Sequence, residues 1–121
     1  MKLLKTIHDF AVTHPEAAAF ISPDNEINYR ELWQQSEQVA SNILTKNLTK
    51  GTPIMVYGHM QPDMIVSFLG CVKSGHPYVP IDTSIPLERI ERIGQSSQSE
   101  LLINVSSLPL QLEIHLCRLL Q

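Results

Sequence analysis

Four consecutive apolar residues, Ile54 to Tyr57 in Pro-Ile-Met-Val-Tyr, constrain this chain more than any other stretch. A strand with one face open to water alternates apolar and polar side chains, because successive residues point to opposite faces. This run does not alternate. It therefore reads as a strand buried on both faces, the form found in parallel sheets covered by helices. Two further short strands are predicted, Tyr78 to Ile81 and the Leu-Leu-Ile-Asn-Val run at 101 to 105. Met64, Ile65, Phe68, Leu69 and Val72 mark a helix between the first two, with Pro62 at its first position and Gly75 as its stop. Pro86 opens the next helix, which carries Leu87, Ile90 and Ile93. Strand, helix, strand, helix, strand is the sequence form of a right-handed βαβαβ unit. The expected fold class is α/β, a partial parallel sheet flanked by helices.

Upstream of this unit, Leu3, Leu4, Ile7, Phe10 and Ala11 recur at helical spacing until His14-Pro15. Two short apolar runs around Pro23-Asp24-Asn25 then predict a small hairpin. Asn28 with Glu31 three residues later has the form of a helix N-cap and capping box. Leu32, Trp33, Ser36, Val39, Ala40, Ile43 and Leu44 follow as one face of a long amphipathic helix, which ends in Lys-Asn-Leu-Thr-Lys-Gly-Thr-Pro. Trp33 and Phe68 are read as core. The tail is ambiguous: Leu108, Leu110, Leu112, Ile114 and Leu116 alternate as in a strand, whereas Leu112, Leu116 and Leu119 suit a helix.

At 43% hydrophobic and 17% charged residues, the composition is that of a globular domain or one lobe of a larger one. The net charge of −3 is not offset by any basic cluster, which argues against nucleic acid and anionic membrane as partners. No run approaches the roughly 18 apolar residues of a membrane helix. Cys71 and Cys117 lie far apart without CxxC spacing, so free thiols in a reducing compartment are expected. The opening Met-Lys-Leu-Leu-Lys-Thr-Ile-His-Asp lacks the uninterrupted apolar core of a signal peptide, and the expected location is the cytoplasm.

Recognisable chemistry is sparse. A phosphate cradle needs clustered glycines, and Gly51, Gly58, Gly70, Gly75 and Gly94 are isolated from one another. His8, His14, His59, His76 and His115 have no metal-ligand spacing. His59 follows a buried strand, at the edge where open α/β sheets bind ligands, though a lone polar residue there also serves as a turn former. Asp82 has the same two readings, a site carboxylate or a turn and cap ahead of Pro86. Ser36 and Ser67 lie within helices, and no serine sits in a GxSxG elbow.

Two stretches go beyond the generic pattern. Ile-Asn-Tyr-Arg-Glu-Leu at 27–32 resembles the Leu-Thr-Tyr-x-Glu-Leu motif of amino-acid adenylation enzymes. Val72 to Ile90 resembles the Leu-Lys-Ala-Gly-x-Ala-Tyr-Val-Pro-Leu-Asp-Pro run of the same acyl-adenylate-forming superfamily, including its later Pro-x-Glu-Arg-Ile. The matching positions are Lys73, Gly75, Tyr78, Val79, Pro80, Asp82, Pro86, Glu88, Arg89 and Ile90. Within that superfamily, residues 53–82, with their Val-Tyr-Gly-His-Met turn, are most similar to the D-alanine–D-alanyl carrier protein ligases.

The resemblance implies that residues 1–105 are the N-terminal part of an AMP-binding adenylation domain, with 106–121 a divergent tail. It implies an N-terminal portion of the large domain of an adenylate-forming enzyme. For the full-length family it implies ATP and Mg as cofactors, and D-alanine and a D-alanyl carrier protein as partners. Activation of D-alanine as an adenylate and transfer to the carrier's phosphopantetheine thiol would supply teichoic acids of the cell wall. The family's phosphate loop, aminoacyl pocket, ribose-binding Asp and catalytic Lys lie after the stretch that matches. No catalytic, cofactor-binding or metal residue is therefore carried over to this chain, and no cofactor is expected to bind it alone. Pro80 and Pro86 are expected to shape a turn as scaffold. The alternatives are a peptide-synthetase-type adenylation domain for another amino acid, or a non-catalytic interaction module on the same scaffold. With its sheet cut short, the isolated chain is expected to self-associate.

Overall fold

A computed structural model of the chain describes residues 2–106 and 118–120. Helix α1 (Lys2–Thr13) leads into the hairpin of β1 (Ala18–Ser22) and β2 (Asn25–Asn28), and α2 (Tyr29–Leu44) follows directly. Strand β3 (Ile54–Tyr57), helix α3 (Pro62–Lys73), strand β4 (Tyr78–Ile81), helix α4 (Leu87–Ser97) and strand β5 (Leu101–Asn104) come next, and Arg118–Leu120 form β6. The last four strands make one sheet in the order β4-β3-β5-β6, with every pair parallel. Met55 sits opposite Val79 on one side and Leu102 on the other.

The continuous apolar run behaves as its composition requires. All four residues of β3 and all four of β5 are buried. Ile54, Val56, Leu101 and Ile103 point to the face covered by α3 and by Ile43 of α2. Met55, Tyr57 and Leu102 point the other way, to Ile81 and to Ile90 of α4. Full burial of such a side chain stabilises by about 1.5–3 kcal/mol, so two faces are needed to use every residue of a short strand. A third cluster, Ile27, Leu32, Val66 and Leu69 with Leu4, Ile7 and Phe20 against it, seats the hairpin and α1 on the α2–α3 pair.

Local signals set the helix ends. The Asn28 side chain accepts from the Glu31 N–H at 2.8 Å while Glu31 Oε1 accepts from the Asn28 N–H at 3.1 Å, a complete capping box for α2. Pro62 occupies the first turn of α3. At its other end Gly75 takes φ +87°, and the His76 and Gly75 N–H groups return to the Cys71 and Val72 carbonyls, forming a Schellman stop.

Some expectations are corrected. Leu44 is 63% exposed, and Trp33 is only half-buried. The buried stripe of α2 runs through Leu32, Ser36, Ala40 and Ile43, and at 3.6 residues per turn positions 33 and 44 fall at its margin. No α1 residue is fully buried: Leu4 and Ile7 face inward, while Leu3 and Phe10 are exposed, Phe10 stacking on Tyr29. Strand β5 ends at Asn104 rather than at residue 105. The edge of β5 that the sequence leaves open is paired with β6, which makes Leu119 a strand residue. The alternating leucines at 108–116 lie outside the described residues.

Pro80 lies within β4 rather than in a turn, and β4 is the edge of the sheet. The Pro77 and Ile81 carbonyls accept from the Ile54 and Gly58 N–H groups, so the odd-numbered residues of this segment face β3. Pro80 therefore turns its missing N–H toward the open side, where proline is tolerated.

Gly70 marks the closest approach of α2 and α3. A Cβ there would meet Val39 Cγ1 at 2.4 Å and Val39 Cβ at 2.7 Å. In an unobstructed helix Gly→Ala stabilises by about 1 kcal/mol. Here overpacking outweighs that gain, and Gly70→Ala is expected to destabilise by about 1–3 kcal/mol in urea denaturation. Stabilisation would show that the two helices are not in this contact.

Candidate functional site

Open parallel sheets bind ligands beyond the carboxyl ends of their strands, where neighbouring strands send the chain in opposite directions. The chain leaves β3 for β4 on one side, and β5 lies on the other. The crevice therefore falls between β3 and β5, rimmed by 58–61, 82–84 and 104–106. A Cβ at Gly58 would lie 2.5 Å from Val105 Cγ2, so two of these loops touch where only a glycine fits.

His59 and Asp82 are brought together across β3 and β4. In the tautomer protonated at Nδ1, the His59 ring donates to Asp82 Oδ1 at 3.1 Å, and Nε2 accepts from the Thr83 hydroxyl at 2.8 Å. Asp82 also closes a turn, its Oδ2 accepting from the Ser84 N–H at 3.0 Å. Both side chains are open to water, His59 at 70% and Asp82 at 52% exposure. A hydrolytic triad holds its carboxylate buried so that the imidazole is fixed. This group has the partners without that burial, and it works as a clamp between two loops.

The other candidates are accounted for locally. Buried His76 donates from Nδ1 to the Thr52 carbonyl at 2.8 Å. His8 stacks on Trp33 and His14 contacts the Thr13 hydroxyl through Nδ1. His115 and Cys117 lie outside the described residues. Among the described residues, no three His, Cys, Asp or Glu side chains gather as a metal set, and no helix is long and apolar enough to cross a membrane. Cys71 is a free, buried thiol whose burial pushes its pKa up to about 12, far from a reactive thiolate.

Lys73 is the residue whose role sequence reasoning missed. Its side chain is only 6% exposed. Its ammonium donates to the Trp33 carbonyl at 3.1 Å and to Glu37 at 3.0 Å, and lies 3.3 Å from the centre of the Trp33 ring. Burial holds its pKa below the ordinary lysine value, with Glu37 pulling the other way. Trp33 and Glu37 are four apart and share a face of α2, a spacing visible in the sequence, but their common partner is on α3.

The clamp has a pH signature. Asp82 is held down from 3.8 to about 2, chiefly by hydrogen bonds from the Ser84 side chain and N–H and less by His59. A carboxylate whose pKa falls on folding stabilises above its unfolded pKa, and that contribution is lost as pH drops through the folded value. The stability difference between the native chain and Asp82→Asn should therefore be constant above about pH 5 and shrink toward pH 2. A difference independent of pH across that window would mean that Asp82 is not engaged by Ser84 and His59.

With this geometry in hand, known proteins provide a frame. Residues 7–118 match the family model described as AMP-binding enzyme. The chain is 53% identical over 106 residues to the D-alanine–D-alanyl carrier protein ligase of Bacillus licheniformis and 56% identical over 108 residues to that of Bacillus velezensis. In both cases 88% of this chain is aligned, against 21% of the ligase, so the chain spans about a fifth of the length of these relatives. Among solved structures, a nonribosomal peptide synthetase in its α-methyl-L-serine-AMP bound form superposes with a TM-score of 0.87 at 20% identity, over 98% of this chain and 13% of that one. The parallel sheet, its two helical layers and the family match lead to one conclusion: this chain belongs to the AMP-binding enzyme family.

Proposed function

We propose that this chain is the opening scaffold of a cytoplasmic ligase that activates D-alanine with ATP and Mg as an acyl-adenylate. The ligase then passes the D-alanyl group to the phosphopantetheine thiol of a carrier protein, for teichoic acid D-alanylation in the cell wall. The observation that carries this reading is the 53–56% identity to two D-alanine–D-alanyl carrier protein ligases over nearly the whole chain. On this reading residues 1–105 belong to the large domain and 106–121 are a diverged continuation. The rim at 58–61, 82–84 and 104–106 has no lysine or arginine and no glycine-rich cradle, so it offers a polyphosphate neither cation nor anion-binding backbone. The electrostatic stabilisation that adenylation needs has to come from chain beyond this segment.

Two assays test the reading. The purified chain alone should give no D-alanine-dependent ATP–pyrophosphate exchange, and exchange above a heat-killed control would overturn the scaffold role. A chimaera in which this chain replaces the matching fifth of the Bacillus licheniformis ligase should exchange with D-alanine in preference to L-alanine. A folded but inactive chimaera would overturn the ligase assignment. The isolated chain should also self-associate through surface that the rest of the ligase would cover, which sedimentation at tens of micromolar measures; a clean monomer would contradict that.

A further inference from the structure

Helix α1 is the least anchored of the four helices. It alone among them has no fully buried residue, and the clusters on the two faces of the sheet include no α1 residue among those described. Its hold on the rest consists of Leu4 and Ile7, partly buried against the cluster of Leu32, Val66 and Leu69, and of two ring contacts with α2. His8 stacks on Trp33 at 4.5 Å between ring centres, and Phe10 stacks on Tyr29 at 5.1 Å. An element with few buried apolar contacts opens at a lower free energy than the domain as a whole.

Neither the seat nor the pivot depends on α1 being in place. Lys73 holds Trp33 from α3, with its ammonium 3.3 Å from the ring centre and bonded to the Trp33 carbonyl at 3.1 Å. Tyr29 is fixed by its N–H, which donates to the Ala17 carbonyl at 3.0 Å. The chain just after α1 is pinned as well: the Arg30 N–H donates to the Pro15 carbonyl at 3.2 Å, and the Arg30 guanidinium pairs with Glu16. These carbonyls serve the first turn of α2, whose N–H groups have no acceptor within the helix. Pro15 has no N–H to offer α1 and disfavours helical backbone at His14, which sets the stop of the helix there. Departure of α1 therefore pivots at His14 and leaves the hairpin and α2 where they are.

We propose that α1 is a tethered strap: it lifts off and re-seats as one unit, well below the free energy of global unfolding, and uncovers the face formed by Leu32, Val66 and Leu69 each time. Docking at Trp33 and Tyr29, four residues apart on α2, fixes the register in which it returns. Its contacts, at positions 4, 7, 8 and 10, are spread along the helix and are lost together. That distinguishes the strap from an end that frays residue by residue.

Residue-resolved hydrogen exchange on the monomeric chain tests this. The N–H groups of residues 6–13, which bond within α1, should exchange at one common rate, about 100-fold or more faster than those of β3 and β5. That rate should respond only weakly to urea, whereas β3 and β5 follow the full slope of unfolding, because the slope scales with the surface exposed. His8→Asn and Phe10→Thr each remove a stack at nearly constant helix propensity and should speed α1 exchange about 2–10-fold. Ile90→Val, on the sheet face away from α1, should speed β3 and β5 about 2–10-fold and leave α1 unchanged, since lifting the strap does not touch that contact. Exchange of α1 in step with β3 and β5, or its acceleration by Ile90→Val, would make α1 part of the cooperative core and overturn the proposal. Protection graded along the helix and unmoved by the loss of either stack would mean fraying and overturn it too.

Discussion

Withdrawal of both faces of β3 and β5 from water is the constraint from which the other layers follow. A four-residue strand has few side chains with which to hold its place, and here each is buried. Once Ile54 and Val56 require a cover on one side and Met55 and Tyr57 on the other, the connections cannot be hairpins; they must be helices crossing opposite faces. Helices α3 and α4 meet that demand, and α2 reaches the sheet cluster through Ile43 with Val39 beside it, while Leu32 of its stripe packs with Val66 and Leu69 of α3. Truncating any of these side chains to alanine removes about 2–5 kcal/mol, a large share of the net stability of a domain of this size.

What could be read from the residues alone was what local physics decides. The unbroken apolar run, the Asn28–Glu31 box, Pro62 at a helix start and Gly75 at a helix stop each act within a few residues, and each is found in place. The misreadings share a different origin. Trp33 and Leu44 are apolar residues at the margin of a stripe, and only the position of the neighbouring helix decides whether a margin is covered. Phe10 is placed by a ring on Tyr29, 19 residues away in sequence and in contact only after the hairpin has turned. The pairing of Arg118–Leu120 with β5 joins segments whose intervening sequence fits both a strand and a helix period.

The candidate site divides along the same line. His59 and Asp82 each carried two readings in the sequence, and periodicity had no means of joining residues on successive parallel strands. Register does so: Tyr57 and Ile81 are paired, so the loops that follow them leave the sheet side by side. The Lys73 ammonium is a similar case, placed over Trp33 by the same α2–α3 approach that Gly70 permits. Both arrangements hold elements at fixed separations, the first at the rim beyond the carboxyl ends of β3 and β4 and the second at the opposite end of α3.

Pro80 gives the sheet a direction. Of the residues of β4 that face away from β3, Tyr78 and Pro80, one has no N–H to offer an incoming strand. A ladder begun at that border would lack one of its rungs, whereas β5, the far flank of β3, has accepted β6. The two flanks of β3 are thereby unequal: pairing is disfavoured at the β4 border and present at β5. A stray chain approaching that flank, whether another copy or a partly synthesised one, meets a row of backbone groups with one donor missing, so a single imino acid disfavours unwanted pairing there.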